Sequence, residues 1–281
     1  MPAHAGVGQR GKQLFGGGHR CHGQNVPGRR VPHEPGALHD NVDVGYDLHI
    51  SRATFWPYSS YYPILEQEVI DLIDREADLR LEPNQNGGVS RWITWHDTPA
   101  DAEESEGEWL QFWRGEIMRK WPSDDMIRRM AGLARSLDAW LTGDDCELYA
   151  VNSDGRIASR QRTTEEMHPG FGVHPHRFIV RAGGRYLWES TNPIRHEEWL
   201  EVAARQPDFR VTPYVEALLP SGWKTIECPP IAQWVGHPSG KAVPFFQDEY
   251  GCVEVHHADP ATVSRMTELA PLLGAAVRDD D

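Results

Sequence analysis

The chain has little with which to staple itself, cross a membrane or catalyse. Its 281 residues include four cysteines, Cys21, Cys146, Cys228 and Cys252, with no CxxC and no paired spacing. That usage argues against a disulfide framework and fits reduced thiols in a cytoplasm. No apolar run approaches the roughly 20 residues that span a bilayer, and the first residues lack the apolar core of a signal peptide. Positive charge is also short. With 28 Lys and Arg against 42 Asp and Glu, the formal net charge is −14. A surface this acidic repels phosphate backbones, which argues against nucleic acid, and it steers a basic protein partner instead. No G-x-S-x-G elbow or EF-hand loop occurs. The reading is a cytoplasmic chain with no membrane, nucleic-acid, cofactor or metal requirement and no catalytic residue.

What the chain does contain is a repeat. Pro63-Ile64 followed by Glu68, Val69, Leu72, Asp78, Leu79 and Arg80 recurs, without a gap, as Pro193-Ile194 followed by Glu198, Trp199, Val202, Asp208, Phe209 and Arg210. Arg129-Met130, Leu133-Ala134, Leu137 and Asp144-Asp145 recur as Arg265-Met266, Leu269-Ala270, Leu273 and Asp280-Asp281. Such spacing implies one fold used twice.

Four segments follow. Residues 1–45 are rich in Gly, Pro, His and Arg and show no apolar periodicity, which reads as a disordered tail or as upstream sequence from an over-early start. The first copy spans 46–160, a polar linker 161–174, and the second copy 175–281. In the first copy Tyr46, Leu48 and Ile50 alternate with polar residues as in a half-buried strand. Glu108–Arg114 and Glu116–Trp121 flank Gly115 as a hairpin. Ser123 caps a helix whose stripe of Met126, Met130, Leu133, Leu137 and Leu141 is expected to run to Gly143. In the second copy Asp259-Pro260 starts the matching helix, and Pro271 is expected to kink or end it. Each copy therefore reads β-α-β-β-β-α. The fold class is α+β: two homologous domains, each an antiparallel or mixed sheet with both helices on one face.

Several stretches carry a resemblance: Tyr46-Asp47-Leu48-His49-Ile50-Ser51-Arg52, Pro193-Ile194 with Glu197-Glu198-Trp199-Leu200, Asp208-Phe209-Arg210, Trp234–Gly240 and Gly143-Asp144-Asp145. In these the chain resembles a family of small uncharacterised bacterial α+β domains, here in tandem. That family usually follows Gly-Asp-Asp with Gly-Glu and a Tyr. Cys146 replaces the Gly, while Glu147 and Tyr149 remain. The resemblance implies the domain fold and brings no mechanism.

The polar candidates fare poorly against ordinary structural roles. Asp144-Asp145 reads as a solvated helix-exit turn. His237-Pro238-Ser239-Gly240 sets a His beside a Ser, but the other copy lacks both. His256-His257 reads as surface strand residues, and His174 with His176 has no acidic or Cys neighbour in sequence to complete a zinc site. Asp97, Asp101, Glu103, Glu104, Glu106 and Glu108 form an acidic loop found in one copy only. The chain has 11 Trp. Trp109 and Trp113 share one strand face opposite Leu110 and Phe112, and Trp92 lies opposite Ile93. A sheet apolar on both faces needs a cover, expected to be the sister copy in an intramolecular pseudo-dimer.

The preferred reading is a non-enzymatic protein-binding protein, immunity- or antidote-like toward a basic partner. Its binding residues are Trp92, Trp109, Trp113, Asp101, Glu103, Glu104, Glu106 and His237. One alternative is an enzyme with a single diverged site at the junction of the copies, drawing on His237, Asp97 and His196. The other is a structural or regulatory scaffold.

Overall fold

The computed structural model describes residues 46–83, 90–96, 108–167, 174–181 and 192–279. The expected tail and the acidic residues Asp97, Asp101, Glu103, Glu104 and Glu106 lie outside them, as does Asp280-Asp281. Val42–Asp281 forms one compact unit.

The first half runs β1 (Asp47–Ser51), α1 (Glu66–Ile73), β2 (Leu79–Leu81), β3 (Arg91–Trp95), β4 (Glu108–Trp113), β5 (Glu116–Lys120), α2 (Asp124–Ser136), β6 (Trp140–Gly143), β7 (Leu148–Val151) and β8 (Ile157–Arg160). A short α3 (Thr164–Met167) lies within the expected linker. The second half runs β9 (Arg177–Val180), α4 (His196–Ala204), β10 (Phe209–Leu219), β11 (Gly222–Trp234), β12 (Val243–Gln247), β13 (Val253–Val255), α5 (Pro260–Leu269) and β14 (Ala276–Asp279). One sheet has the order β2-β3-β4-β5-β1-β6-β7-β8, the other β10-β11-β12-β13-β9-β14. The fold is α+β with antiparallel sheets.

Alternation decides which face of each strand meets the helices. Leu48 and Ile50 of β1, Leu110 and Phe112 of β4 and Ile117 of β5 join Val69 and Leu72 of α1 and Met126, Met130 and Leu133 of α2 in one core. Each such buried aliphatic side chain stabilises by about 1.5–3 kcal/mol. Ser123 caps α2, its hydroxyl accepting from the Met126 N–H at 3.1 Å. The β4–β5 hairpin turns on Arg114 and Gly115, both with positive φ (51° and 80°), as a two-residue turn of primed type requires.

Three sequence expectations need correction. Helix α2 ends at Ser136, not Gly143, and Leu141 belongs to strand β6. The chain reverses at Asp138, whose φ is 48°, and Leu141 then reaches the same core from a strand. A stripe of core residues looks continuous across that change. Strands β2, β6 and β14 also enlarge each half beyond β-α-β-β-β-α to β-α-β-β-β-β-α-β. Pro271 acts as expected: α5 stops at Leu269 and a 3-10 turn, Ala270–Leu273, follows. Of the cysteines, Cys228 and Cys252 are free and buried, whereas Cys146 is disulfide-bonded, against the expectation of reduced thiols throughout.

The halves repeat contacts as well as strand order. Arg52 donates to Glu68 and to the carbonyls of Pro63 and Leu137. Arg181 donates to Glu198 and to the carbonyls of Pro193 and Leu273. Asp78 accepts from Trp95 Nε1 and Arg129, and Asp208 from Trp234 Nε1 and Arg265. The Ile64 N–H bonds to the Gly115 carbonyl and the Ile194 N–H to that of Gly251, both at 2.9 Å.

An aromatic segment of the first half, Phe55–Tyr62, joins the two. Trp56 stacks on His49 of β1 at 4.1 Å. Tyr61 stacks on Phe246 of β12 at 4.5 Å. Tyr61 and Tyr62 also pack on Val215, Ala217, Leu219 and Ile226 of the long β10–β11 hairpin. The tip of that hairpin is clasped by Asp138, which accepts from the Ser221 hydroxyl at 2.6 Å and lies 2.6 Å from Lys224 Nζ. Trp140 Nε1 donates to the Leu218 carbonyl at 3.0 Å.

Candidate functional site

Of the expected binding residues, Trp92 and Trp109 come together. Thr94 pairs with Trp109 and Trp92 with Gln111 across β3 and β4, which sets the two indoles diagonally on the face away from the helices. Their centroids lie 4.7 Å apart, edge to face, and each is 40 % exposed. Among the described residues, the second half does not cover this pair of indoles. Arg119 lies over Trp109 at 4.4 Å and Arg114 over the partly buried Trp113 at 4.3 Å.

His237 stands elsewhere and is buried. Its Nε2 lies 3.1 Å from Asp259 Oδ2 and its Nδ1 2.6 Å from Ser239 Oγ. Asp259 also caps α5 through Thr262, and Ser239 accepts from the Lys241 N–H. The trio ties a turn to a helix start. His196 bonds to Gln247 instead, at 2.8 Å.

The face of the first sheet turned from its helices holds a buried polar network. His49 donates from Nδ1 to Glu116 Oε2 at 3.1 Å and from Nε2 to Asp144 Oδ1 at 3.3 Å. Ser59 donates to Glu116 at 3.1 Å and lies 2.7 Å from the Ser51 hydroxyl. His49, Ser51, Ser59 and Glu116 are all buried. Burial pulls the His49 pKa down, but its bonds to Asp144 and Glu116 outweigh that and raise it to about 9. The ring is a cation at neutral pH. Asp144, expected as a solvated turn, thus carries one wall of the network and accepts from the Asp47 N–H at 2.9 Å.

Around the corresponding positions of the second sheet, Phe178, Val180 and Cys252 form a small apolar cluster. A different polar group lies close by. Glu254 of β13 is buried and lies 3.5 Å from His176 Nδ1 and 3.1 Å from His256 Nε2. The donor atoms of all three residues lie within 4.8 Å of one another. Segment 55–62 seals the group: Tyr61 donates to Glu254 Oε2 at 3.0 Å, and the Tyr58 hydroxyl lies 2.7 Å from His176 Nδ1. The two imidazoles stack at 4.9 Å, and Tyr58 covers His256 at 3.8 Å. Burial pushes the Glu254 carboxyl up, but the two imidazoles outweigh it and hold it well below the usual carboxylate range.

Sequence reasoning placed His256 on the surface, whereas only 10 % of its side chain is exposed. It also dismissed a metal reading of His176 for want of an acid nearby in sequence. The acid comes from β13, far along the chain. The one sequence signal was negative: in the expected repeat, Lys120 stands where the second copy has His256. No family model, curated protein or solved structure matches the chain, so the family resemblance rests on its own residues.

Proposed function

We propose that the chain is two copies of one α+β domain fused into a protein-binding protein, and that it engages a basic partner through the exposed end of its first sheet. The Trp92–Trp109 pair carries this reading. Two large indoles left 40 % exposed side by side are costly to keep in water and suited to anchor an interface. The connection between the two strands that bear them contains Asp97, Asp101, Glu103, Glu104 and Glu106. An aromatic anchor on strands joined by an acidic stretch of sequence fits a partner with a basic surface. The repeated contacts of Arg52 and Arg181 and of Asp78 and Asp208 support the duplication. The polar networks that offer acid–base groups have structural partners, as with His237 at the α5 cap, and this favours binding over catalysis.

The test is affinity capture from native cells at low and at high salt, with the wild type and a Trp92→Ala/Trp109→Ala variant. A stoichiometric basic protein, lost at high salt and lost with the variant, is expected. No such protein, or equal capture by the variant, contradicts the reading.

A second reading, an enzyme with one diverged site, draws on a specific observation. The first half keeps His49, Ser51 and Glu116 where the second has Phe178, Val180 and Cys252. The burial of this network beneath Trp56 counts against substrate access.

A further inference from the structure

The geometry points to a zinc-class divalent metal site built by His176, Glu254 and His256, sealed by Tyr58 and Tyr61, at the junction of the two halves. This inference is independent of the partner-binding surface, which lies on other strands.

The donor set is two imidazoles and one carboxylate, a combination suited to zinc. Bonds of about 2.0–2.2 Å in a tetrahedron put ligand atoms roughly 3.3–3.5 Å apart. Glu254 Oε1 already lies 3.5 Å from His176 Nδ1 and 3.1 Å from His256 Nε2, and all three donor atoms fall within 4.8 Å. Closing the remaining gap takes small side-chain rotations. His256 Nε2 is buried and, although 3.1 Å from Glu254, has no well-aligned hydrogen bond. A buried carboxylate between two imidazoles needs a cation to offset its desolvation, and a metal ion supplies one without protonating a ring.

The surroundings complete the site. The Tyr61 hydroxyl holds the second oxygen of Glu254 at 3.0 Å, the kind of outer contact that orients a ligating carboxylate. The Tyr58 oxygen, 2.7 Å from His176 Nδ1, stands beside the fourth corner. Because Tyr58 and Tyr61 come from the first half and the three ligands from the second, the ion would brace the junction. With 20 % of its side chain exposed, His176 gives the ion a way in.

The experiment uses the full chain, stripped with EDTA and titrated with zinc sulfate in a calorimeter, followed by cobalt absorption. One zinc per chain is expected. His256→Gln and Glu254→Gln are expected to weaken it by at least about 100-fold, and Tyr61→Phe by about 10-fold, since it only positions the carboxylate. His237→Gln, whose imidazole sits in a separate contact, leaves the affinity unchanged. The histidines and cysteine of residues 1–45 are the rival ligands. A cobalt complex of His and Glu shows d–d bands and no thiolate charge-transfer band, which excludes the cysteine, and weakening in the conservative Tyr61→Phe variant excludes the histidines of the tail. Absence of zinc binding, binding unchanged in His256→Gln, or a thiolate band overturns the assignment.

Discussion

His49 and Phe178 occupy the same register position in the two sheets: His49 pairs with Met118 and Thr142, Phe178 with Glu254 and Arg278. The partners are displaced equally along the chain, so the backbones match while the side chains do not. At the buried face of one sheet lies a cation clamped by two carboxylates. At the same face of the other lies a phenyl ring, with the buried carboxylate moved to the position that Met118 holds in the first. The two halves differ on this face, while the face toward the helices is apolar in both.

The His49 clamp makes stability depend on alkaline pH. A cation whose folded pKa is raised to about 9 against about 6.5 when unfolded contributes fully below pH 6.5 and is lost as pH rises through about 9. The loss is at most about 3 kcal/mol, at 1.36 kcal/mol per pKa unit. Urea midpoints measured from pH 6 to 10 should fall across that window in the wild type and stay flat in His49→Phe.

Removing His49 alone should cost more than removing it together with its buried partners Ser51 and Glu116. His49→Phe leaves Glu116 buried without its imidazole, a loss of about 3–5 kcal/mol. The triple change His49→Phe/Ser51→Val/Glu116→Cys installs the residues of the second half and should recover part of that loss. Equilibrium denaturation checks the order. A triple variant weaker than the single one would show that the two faces are not interchangeable.

The arginine pair tests the proposed duplication energetically. Arg52→Ala and Arg181→Ala each remove a bridge from a helix carboxylate to two carbonyls. Each should cost about 2–3 kcal/mol, and the two costs should agree within about 1 kcal/mol. Chemical denaturation of both variants, read by Trp fluorescence, provides the comparison.

The hairpin glycines should resist substitution alike. Gly115 and Gly251 have φ of 80° and 76°. A Cβ at Gly115 would come within 2.7 Å of Pro63, and one at Gly251 within 2.9 Å of the Ile194 carbonyl. Ala at either position adds left-handed strain to a backbone clash. Both variants should lose thermal stability, whereas Gly155→Ala, which meets nothing within 4 Å, carries only the conformational cost.

Local signals were legible in the sequence. The alternation of Leu48 and Ile50, the Ser123 and Asp259 caps, the turn at Gly115 and the break at Pro271 each depend on a few adjacent residues. The end of α2 was not legible, because Leu137 and Leu141 face one core from two different elements. Nor was the His176–Glu254–His256 group, since nothing local brings β9 beside β13. The buried state of His49 and His256 was hidden for the same reason: their covers, Trp56 and Tyr58, lie in a loop whose path depends on the whole fold.

The central claim is that a partner docks on the exposed Trp92–Trp109 end of the first sheet. Hydrogen exchange on the captured complex tests it most directly. The account predicts added protection confined to Arg91–Trp95, Glu108–Trp113 and the acidic connection between them. Protection centred on the exposed Tyr214 and Trp223 of the β10–β11 hairpin, with β3 and β4 unchanged, would contradict it.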